Sequence, residues 1–291
     1  KDFPVPVPAS GEVLIQVTAC GLNNTDVWVR KGAYGTDEDP SAVASWRRSA
    51  SEQTLTFPRI QGADSVGIIA AVGAGVSADR IGQRVMVDFS IYNDHGDSLA
   101  DIDYIGHGRD GGFAEFIAVP DENAHIADNN LTDAELATFC CAYLTGEHML
   151  DRAEVRAGER VLITGASGGV GSGLIQLCRA RGAIPYAITS ASKLQAVKAL
   201  GAQGVIDRAS PSLIDATHQV LEGHAVDVVA DLVGGELFNP LLQLLRPEGR
   251  YSTAGAIGGP LVQLDLRTIY LKHLAIHGSS QGTRGAFQRL M

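Results

Sequence analysis

The residues best suited by type and spacing to do chemistry form the run Gly165-Ala166-Ser167-Gly168-Gly169-Val170-Gly171. A short, wholly apolar segment, Val161 to Ile163, precedes it. A helical pattern from Val170 to Ala180 follows, with Val170, Leu174 and Leu177 on one face and Cys178 beside them. A buried strand, a glycine turn and a helix in that order form a cradle for a dinucleotide pyrophosphate. Gly165 permits the tight turn, Gly168 lets phosphate approach the backbone, and Gly171 lets the helix pack on the strand. The helix N-terminus then offers N–H groups and the positive end of its dipole, with Ser167, Gly169 and Val170 in reach of the anion. The spacing is G-x-x-G-x-x-G rather than G-x-G-x-x-G, so a plain strand-to-helix connection stays open on the motif alone.

Some 20 residues further on, sheets that select NAD carry an acidic residue for the ribose 2′-hydroxyl. Here the stretch reads Ile188-Thr189-Ser190-Ala191-Ser192-Lys193, without Asp or Glu. Ser190 and Ser192 can donate hydrogen bonds and Lys193 can face a 2′-phosphate, so the expected cofactor is NADPH. The alternative is a helix cap at Ser190 or Ser192 followed by a surface lysine. Near the start, Gly21 to Tyr34 is polar and then aromatic. It reads either as a loop lining a ligand cleft or as a capped helical turn with Asn24 or Thr25 as N-cap. Within it, Asn23 can donate to an oxygen that gains negative charge, or form an Asx-turn. Tyr34 can supply a proton, or pack beside a glycine turn. His95, Asp97, Asp101, Asp103 and His107 could gather around a metal, or form a solvated acidic loop; no metal is expected.

These residues need two kinds of scaffold. Residues 1–125 read as a mostly β unit. Lys1 to Ser10, with Pro4, Pro6 and Pro8, is an extended lead-in. Glu12 to Cys20 alternates as a strand with Val13, Ile15 and Val17 on one side. Gly35 to Thr56 reads as an insertion or mobile loop. Further strands are expected within Ile60–Ala74, Gly82–Asp88 and Gly112–Val119, and Ile91 to Gly112 reads as a long surface loop. Together they suggest a partly open barrel. Residues 126–291 read differently. After a capping box at Thr132 to Glu135 and a helix over Leu144–Arg152, strands and helices alternate. The strands are Val161–Ile163, Ile184–Ile188, Gly204–Ile206, Val226–Ala230, Arg250–Thr253 and Ala275–His277, with helices such as Ser192–Leu200 and Leu237–Leu245 between them. This is an α/β, doubly wound parallel sheet. At its carboxyl edge, Thr145, Ala254, Gly255, Ser279 and Ser280 are expected at the nicotinamide half of the cofactor.

Composition limits the partners. The chain has 291 residues, is 45% hydrophobic and 19% charged, and carries a net charge of −10. Nothing offsets phosphate repulsion globally, so neither nucleic acid nor an anionic membrane is an expected partner. The four cysteines, Cys20, Cys140, Cys141 and Cys178, include no C-x-x-C pair, which suits a reducing cytoplasm. No window has the apolar length of a membrane span, and no signal peptide is evident. The short apolar stretch Ala275 to Ser279, last in the sheet, offers an edge for pairing with a second copy.

The motifs Gly21-Leu22-Asn23-x-x-Asp26, Gly62-x-x-x-x-Gly67, Asp110-Gly111-Gly112-Phe113-Ala114-Glu115, the glycine turn above, Leu200-Gly201-Ala202 and Leu245-Arg246-Pro247-Glu248-Gly249-Arg250 together resemble the medium-chain dehydrogenase/reductase superfamily. The nearest branch is similar to the zinc-independent quinone oxidoreductases, which share Asn23 and Tyr34. The resemblance implies a GroES-like substrate domain followed by a Rossmann domain and a homodimer. It also implies hydride transfer from NADPH to a quinone, enone or other small carbonyl compound. Zinc-dependent relatives supply a Cys, a His-Glu pair and a later Cys where this chain has Asn23, Ala63-Asp64 and Cys141, so a zinc-type alcohol dehydrogenase is the weaker alternative. A nucleotide-binding protein without turnover is the other. Against family members the chain reads as truncated at both ends.

Overall fold

The computed structural model describes residues 3–32, 55–92 and 102–291, the side chain of Asp103 excepted. Tyr34, most of the Gly35–Thr56 stretch, His95, Asp97 and Asp101 lie outside the described residues. The chain forms two compact units, Lys1–Cys141 with Thr283–Met291, and Ala142–Gly282.

In the first unit, β1 (Glu12–Gly21), β2 (Asp64–Val72), β3 (Arg84–Val87), β6 (Phe116–Pro120) and β7 (Ala124–Ile126) form an antiparallel sheet in the order β6-β1-β2-β3-β7. The alternation expected of β1 holds, with Val13, Ile15 and Val17 each less exposed than Gln16 or Thr18. A bulge in its pairing with β2 falls between Leu14 and Ile15, and Val13, Leu14 and Ile15 are all buried while Val17 is half-buried. The extra residue there is Ala70 of β2, so β1 itself is not reset and Leu14 is buried on the opposite face from Val13 and Ile15. The core collects Val13, Ile15, Val66, Ile69, Val85, Val87, Ile117 and Val119, none more than 3% exposed. Each such side chain stabilises the fold by roughly 1.5–3 kcal/mol relative to exposure.

The stretch from Ile91 to Gly112 is not all surface loop. Ser90–Tyr92 (β4) pairs antiparallel with Ile102–Tyr104 (β5), and Tyr104 and Ile105 are buried. Its aspartates and glycines masked two apolar anchors. The 21–34 stretch takes the helical alternative: α1 spans Asn24–Arg30, but its N-cap is Asn23 rather than Asn24 or Thr25. The Thr132–Glu135 box caps a short α2 (Asp133–Leu136), and a π-helical turn follows at Phe139–Tyr143.

The first unit extends to Cys141 rather than ending at 125, and it takes back the chain end. Leu136 and Cys140 are buried. In α9 (Arg284–Leu290) Phe287 is fully buried with its ring 4.7 Å from that of His125, and Arg284 pairs with Glu122 at 2.7 Å. One buried phenylalanine among polar neighbours is a weak signal in sequence but decides where the segment packs.

In the second unit, α3 is Leu144–Arg152, α4 Gly169–Ala180, α5 Leu194–Ala199, α6 Leu213–Val220, α7 Phe238–Leu244 and α8 Leu266–Lys272. The strands are β8 (Arg160–Ile163), β9 (Ile184–Thr189), β10 (Gly204–Asp207), β11 (Val226–Asp231), β12 (Leu245–Thr253) and β13 (Ala275–Gly278). They form one parallel sheet in the order β10-β9-β8-β11-β12-β13. Val161 and Ile163 join one apolar cluster with Leu174, Cys178, Val228 and Ala230. Leu162 and Val229 join another with Tyr186, Leu241, Leu242 and Tyr251. Burial on both faces is why these strands read as unbroken apolar runs. Among the described residues no helix is long and apolar enough to cross a membrane.

Candidate functional site

The order of the second sheet reverses between β8 and β11, and ligands of such sheets bind outside the strand carboxyl ends at this switch point. The glycine turn stands there. Gly165 has φ +56°, a left-handed conformation that disfavours a side chain. A Cβ on Gly171 would run into the carbonyl oxygen of Gly165 and sit 2.6 Å from Cα of Ala166, so only glycine lets α4 approach β8. Gly168 differs: its Cβ would touch only Gly165 O, at 3.3 Å. Ser167, Gly168 and Gly169 are exposed, Val170 is half-buried, and no side chain caps the helix. A backbone cradle bare of side chains at a helix start fits a dinucleotide pyrophosphate.

The turn is held by a residue the motif does not contain. Asp231, at the end of β11, is fully buried. It accepts hydrogen bonds from Thr164 Oγ1 (2.5 Å), Tyr251 Oη, Val233 N–H (3.0 Å) and Gly234 N–H (2.9 Å). Thr164 Oγ1 in turn accepts from Leu232 N–H at 2.9 Å. Burial and the neighbouring Asp231 charge push the Tyr251 phenol far above its ordinary range, so it stays a donor. The carboxylate thus joins the ends of β8, β11 and β12. The sequence signal was an aspartate closing the apolar run Val228–Ala230.

The other expected residues of this unit reach the same sheet edge. Ser190 follows β9 and stands at the N-cap position of a single 3-10 turn, Ala191–Lys193, as the capping alternative has it; its hydroxyl makes no cap hydrogen bond and lies 3.4 Å from that of Ser192. Ser192 and Lys193 are exposed. Arg208, which the sequence reading passed over, is exposed immediately after β10, and its N–H donates to Thr189 O at 2.8 Å. A second cation therefore stands on the strand beside Ser190. Ala254 and Gly255 follow β12, and Ala254 N–H donates to Asp231 O at 3.2 Å. Ser279 follows β13, its N–H bonded to Thr253 O at 2.8 Å and its hydroxyl 3.3 Å from that of Ser252; Ser280 is half-buried beside it. Thr145, buried, is the second residue of α3. Its flanking segment runs by the start of α4, where a Cβ on Gly169 would lie 3.4 Å from Ala142 Cβ, and by Gly282 beyond β13, against Leu144.

Asn23 is in the first unit. Its Nδ2 donates to Asp64 Oδ2 at 2.9 Å, and its N–H donates to Asp26 Oδ2 at 2.8 Å. Asp26 Oδ1 accepts from Gly62 N–H at 3.2 Å, and Gln61 Nε2 donates to Asp26 O at 2.8 Å. Gly62 has φ +104°, and a Cβ there would lie 2.7 Å from Phe113 N. Burial, opposed by hydrogen bonds from Asn23 and Cys141 and reinforced by the charge of Asp26, pushes the Asp64 carboxyl up to about 7. Cys20 is raised by burial to about 12, and Cys140 is held well above its ordinary range by burial and by Asp64. His107 stacks on Tyr104, ring centroids 4.8 Å apart.

A catalytic zinc does not fit these residues. Of the positions named above, Ala63 offers no donor atom and Asn23 turns its amide nitrogen to Asp64, which leaves Asp64 and Cys141 where a catalytic zinc needs three ligands. Among the described residues no three His, Cys, Asp or Glu side chains gather closely enough to hold a metal.

Two family models match the chain: the alcohol dehydrogenase GroES-like domain over residues 9–129, and zinc-binding dehydrogenase over residues 169–291. The quinone oxidoreductase of Rattus norvegicus is 30% identical over 293 residues, covering 99% of this chain and 78% of that protein. The crystal structure of a Sinorhizobium meliloti 1021 protein, described provisionally as an alcohol dehydrogenase, is 67% identical with a TM-score of 0.94. It is matched over 100% of this chain and 80% of its own. That of an NAD-dependent alcohol dehydrogenase is 28% identical, TM-score 0.87, over 100% of this chain and 83% of its own.

Proposed function

The chain belongs to the medium-chain dehydrogenase/reductase superfamily of nicotinamide-dependent oxidoreductases, and from that premise we propose that it reduces a quinone, enone or other carbonyl compound with NADPH and without metal. The observation that carries this reading is the glycine-lined cradle at the switch point of a parallel sheet whose carboxyl edge gathers Ser190, Ser192, Lys193 and Arg208.

When bound, the cofactor supplies the hydride. Gly165 to Gly171 receive its pyrophosphate on backbone N–H groups at the start of α4. Ser190 and Ser192 donate to the adenosine ribose substituent, and Lys193 and Arg208 balance a 2′-phosphate. No carboxylate stands in the Ser190–Lys193 run to prefer a free 2′-hydroxyl. Thr145, Ala254, Gly255, Ser279 and Ser280 hold the nicotinamide half, and Asp231 keeps the strand ends that carry them in place. Asn23 donates to the substrate oxygen as negative charge develops there. Tyr34, outside the described residues, is assigned as proton source on its chemistry alone, with water as the other source. The donor set at Asn23 and Ala63 favours the metal-free reading over the zinc one.

A homodimer along β13 accompanies this reading. That strand is the sheet edge, Ile276 on it is 43% exposed, and Leu266, Tyr270 and Leu271 of α8 are exposed. Four free cysteines suit a reducing cytoplasm. Incubating the protein with NADPH and a panel of quinones, enones and aldehydes tests the reaction class: cofactor loss with at least one class is expected. Tight NADPH binding with no loss on any of them would point to a nucleotide-binding protein without turnover.

A further inference from the structure

Asn23 is tied to two carboxylates, by its backbone to Asp26 and by its side chain to Asp64. An amide group presents an acceptor on one side and two donors on the other, and rotating it exchanges them. A carboxyl oxygen lacking a proton can only accept, so Asp64 Oδ2 selects the nitrogen end. One amide hydrogen is then engaged, and the second is left to serve another acceptor. Asp64 itself has little freedom: it is 1% exposed, and a Cβ on Gly21 would come within 3.0 Å of its side chain.

We propose that Asp64 is a positioning residue for the reduction, holding the Asn23 amide nitrogen inward so that its second N–H meets the substrate oxygen. This rests on the role given to Asn23 above.

Asp64 Oδ1 is buried with no hydrogen-bond partner among the described residues. A proton carried there leaves Oδ2 still accepting from Asn23, so both protonation states hold the same amide orientation. They differ in charge. The ionised carboxyl places a fixed negative charge behind the donor and opposes the charge developing on the substrate oxygen; the neutral carboxyl does not. The groups facing it are Asp26 on α1, Cys20 on β1, and Cys140 and Cys141 on the π-helical turn. Asp26 favours the neutral form by its charge, and burial keeps the Cys20 and Cys140 thiols uncharged. Reduction therefore slows as Asp64 ionises, with a midpoint at about 7.

The test is kcat and KM for NADPH-dependent reduction against pH, in the wild-type protein, Asp64→Asn, Asp64→Ala, Asn23→Ala and the double variant Asn23→Ala with Asp64→Ala. Wild-type kcat is expected to fall on the alkaline side. Asp64→Asn, whose amide oxygen still accepts from Asn23, costs a few-fold at acid pH and lacks that limb. Asp64→Ala lowers kcat on the order of a hundredfold with KM little changed, and the double variant is no worse than Asn23→Ala alone. If Asp64→Ala does not fold, the Asp64→Asn profile decides. An alkaline limb that persists in Asp64→Asn, or additive losses in the double variant, overturns the proposal. Unchanged kcat in Asn23→Ala overturns the role of Asn23 instead, while reduction by the wild type still stands.

Discussion

The glycine turn of the second unit and the Asn23–Asp64 pair of the first are built in opposite ways. The turn works through missing side chains: Gly171 lets a helix touch a strand, and Gly168 leaves the backbone bare at an exposed helix start. The pair works through side chains whose chemistry is set by what surrounds them. Asp64 is an ordinary carboxyl until burial and Asp26 raise it to about 7. A site made of backbone follows from geometry and tolerates few changes of shape. A site made of buried polar groups follows from environment and responds to changes of charge.

The largest effect expected from this contrast is at Asp231, the side chain that anchors the backbone-built site. Asp231→Ala leaves Thr164, Tyr251 and two backbone N–H groups without their acceptor and should cost about 3 kcal/mol or more, measured by denaturant unfolding. Loss within about 0.5 kcal/mol would remove Asp231 from its anchoring role. Next, Asn23→Ala should lower kcat roughly a hundredfold while leaving NADPH affinity unchanged in a binding titration. A parallel loss of NADPH affinity would erase the division of labour between the two regions. Gly168→Ala should do the reverse, weakening NADPH binding roughly tenfold with little change in unfolding temperature, because its Cβ meets only one atom at 3.3 Å.

Legibility in the sequence divides along the same line. Gly165 and Gly171 were readable because only glycine satisfies a left-handed turn and a close helix approach, and because the flanking apolar runs fix strand and helix. That six strands form one parallel sheet followed from their alternation with helices. Asp64 was read only as a departure from a zinc motif, since a lone aspartate after Gly62-Ala63 carries no mark of its burial. Arg208 was passed over because its place beside Ser190 depends on β10 lying next to β9, a pairing across chain positions rather than a spacing. Asn23 was chosen for its chemistry, but the N-cap of α1 was placed one or two residues late, at Asn24 or Thr25. Phe287 shows the same limit: nothing local says that α9 belongs with the first unit.

Smaller effects sharpen the contrast. Lys193→Ala and Arg208→Ala, both on exposed side chains, should each reduce the preference for NADPH over NADH by up to roughly tenfold, about 1.4 kcal/mol, and less at high salt. The smallest is a pH effect on stability. Because the folded-state pKa of Asp64 is raised from 3.8 to about 7, its contribution is fully present below the unfolded value and is lost as pH rises through about 7. The unfolding temperature of Asp64→Asn should therefore gain on that of the wild type as pH rises through that window; a pH-independent difference would mean that the carboxyl titrates at its ordinary value.

The most direct measurement uses NADPH deuterated at C4 of its nicotinamide, an enone, and protein purified and assayed with a zinc chelator. Deuterium on the β-carbon of the reduced enone, at a rate the chelator does not change, is the predicted result. Turnover that disappears with the chelator and returns with zinc, or product without deuterium, would contradict a metal-free reduction driven by NADPH.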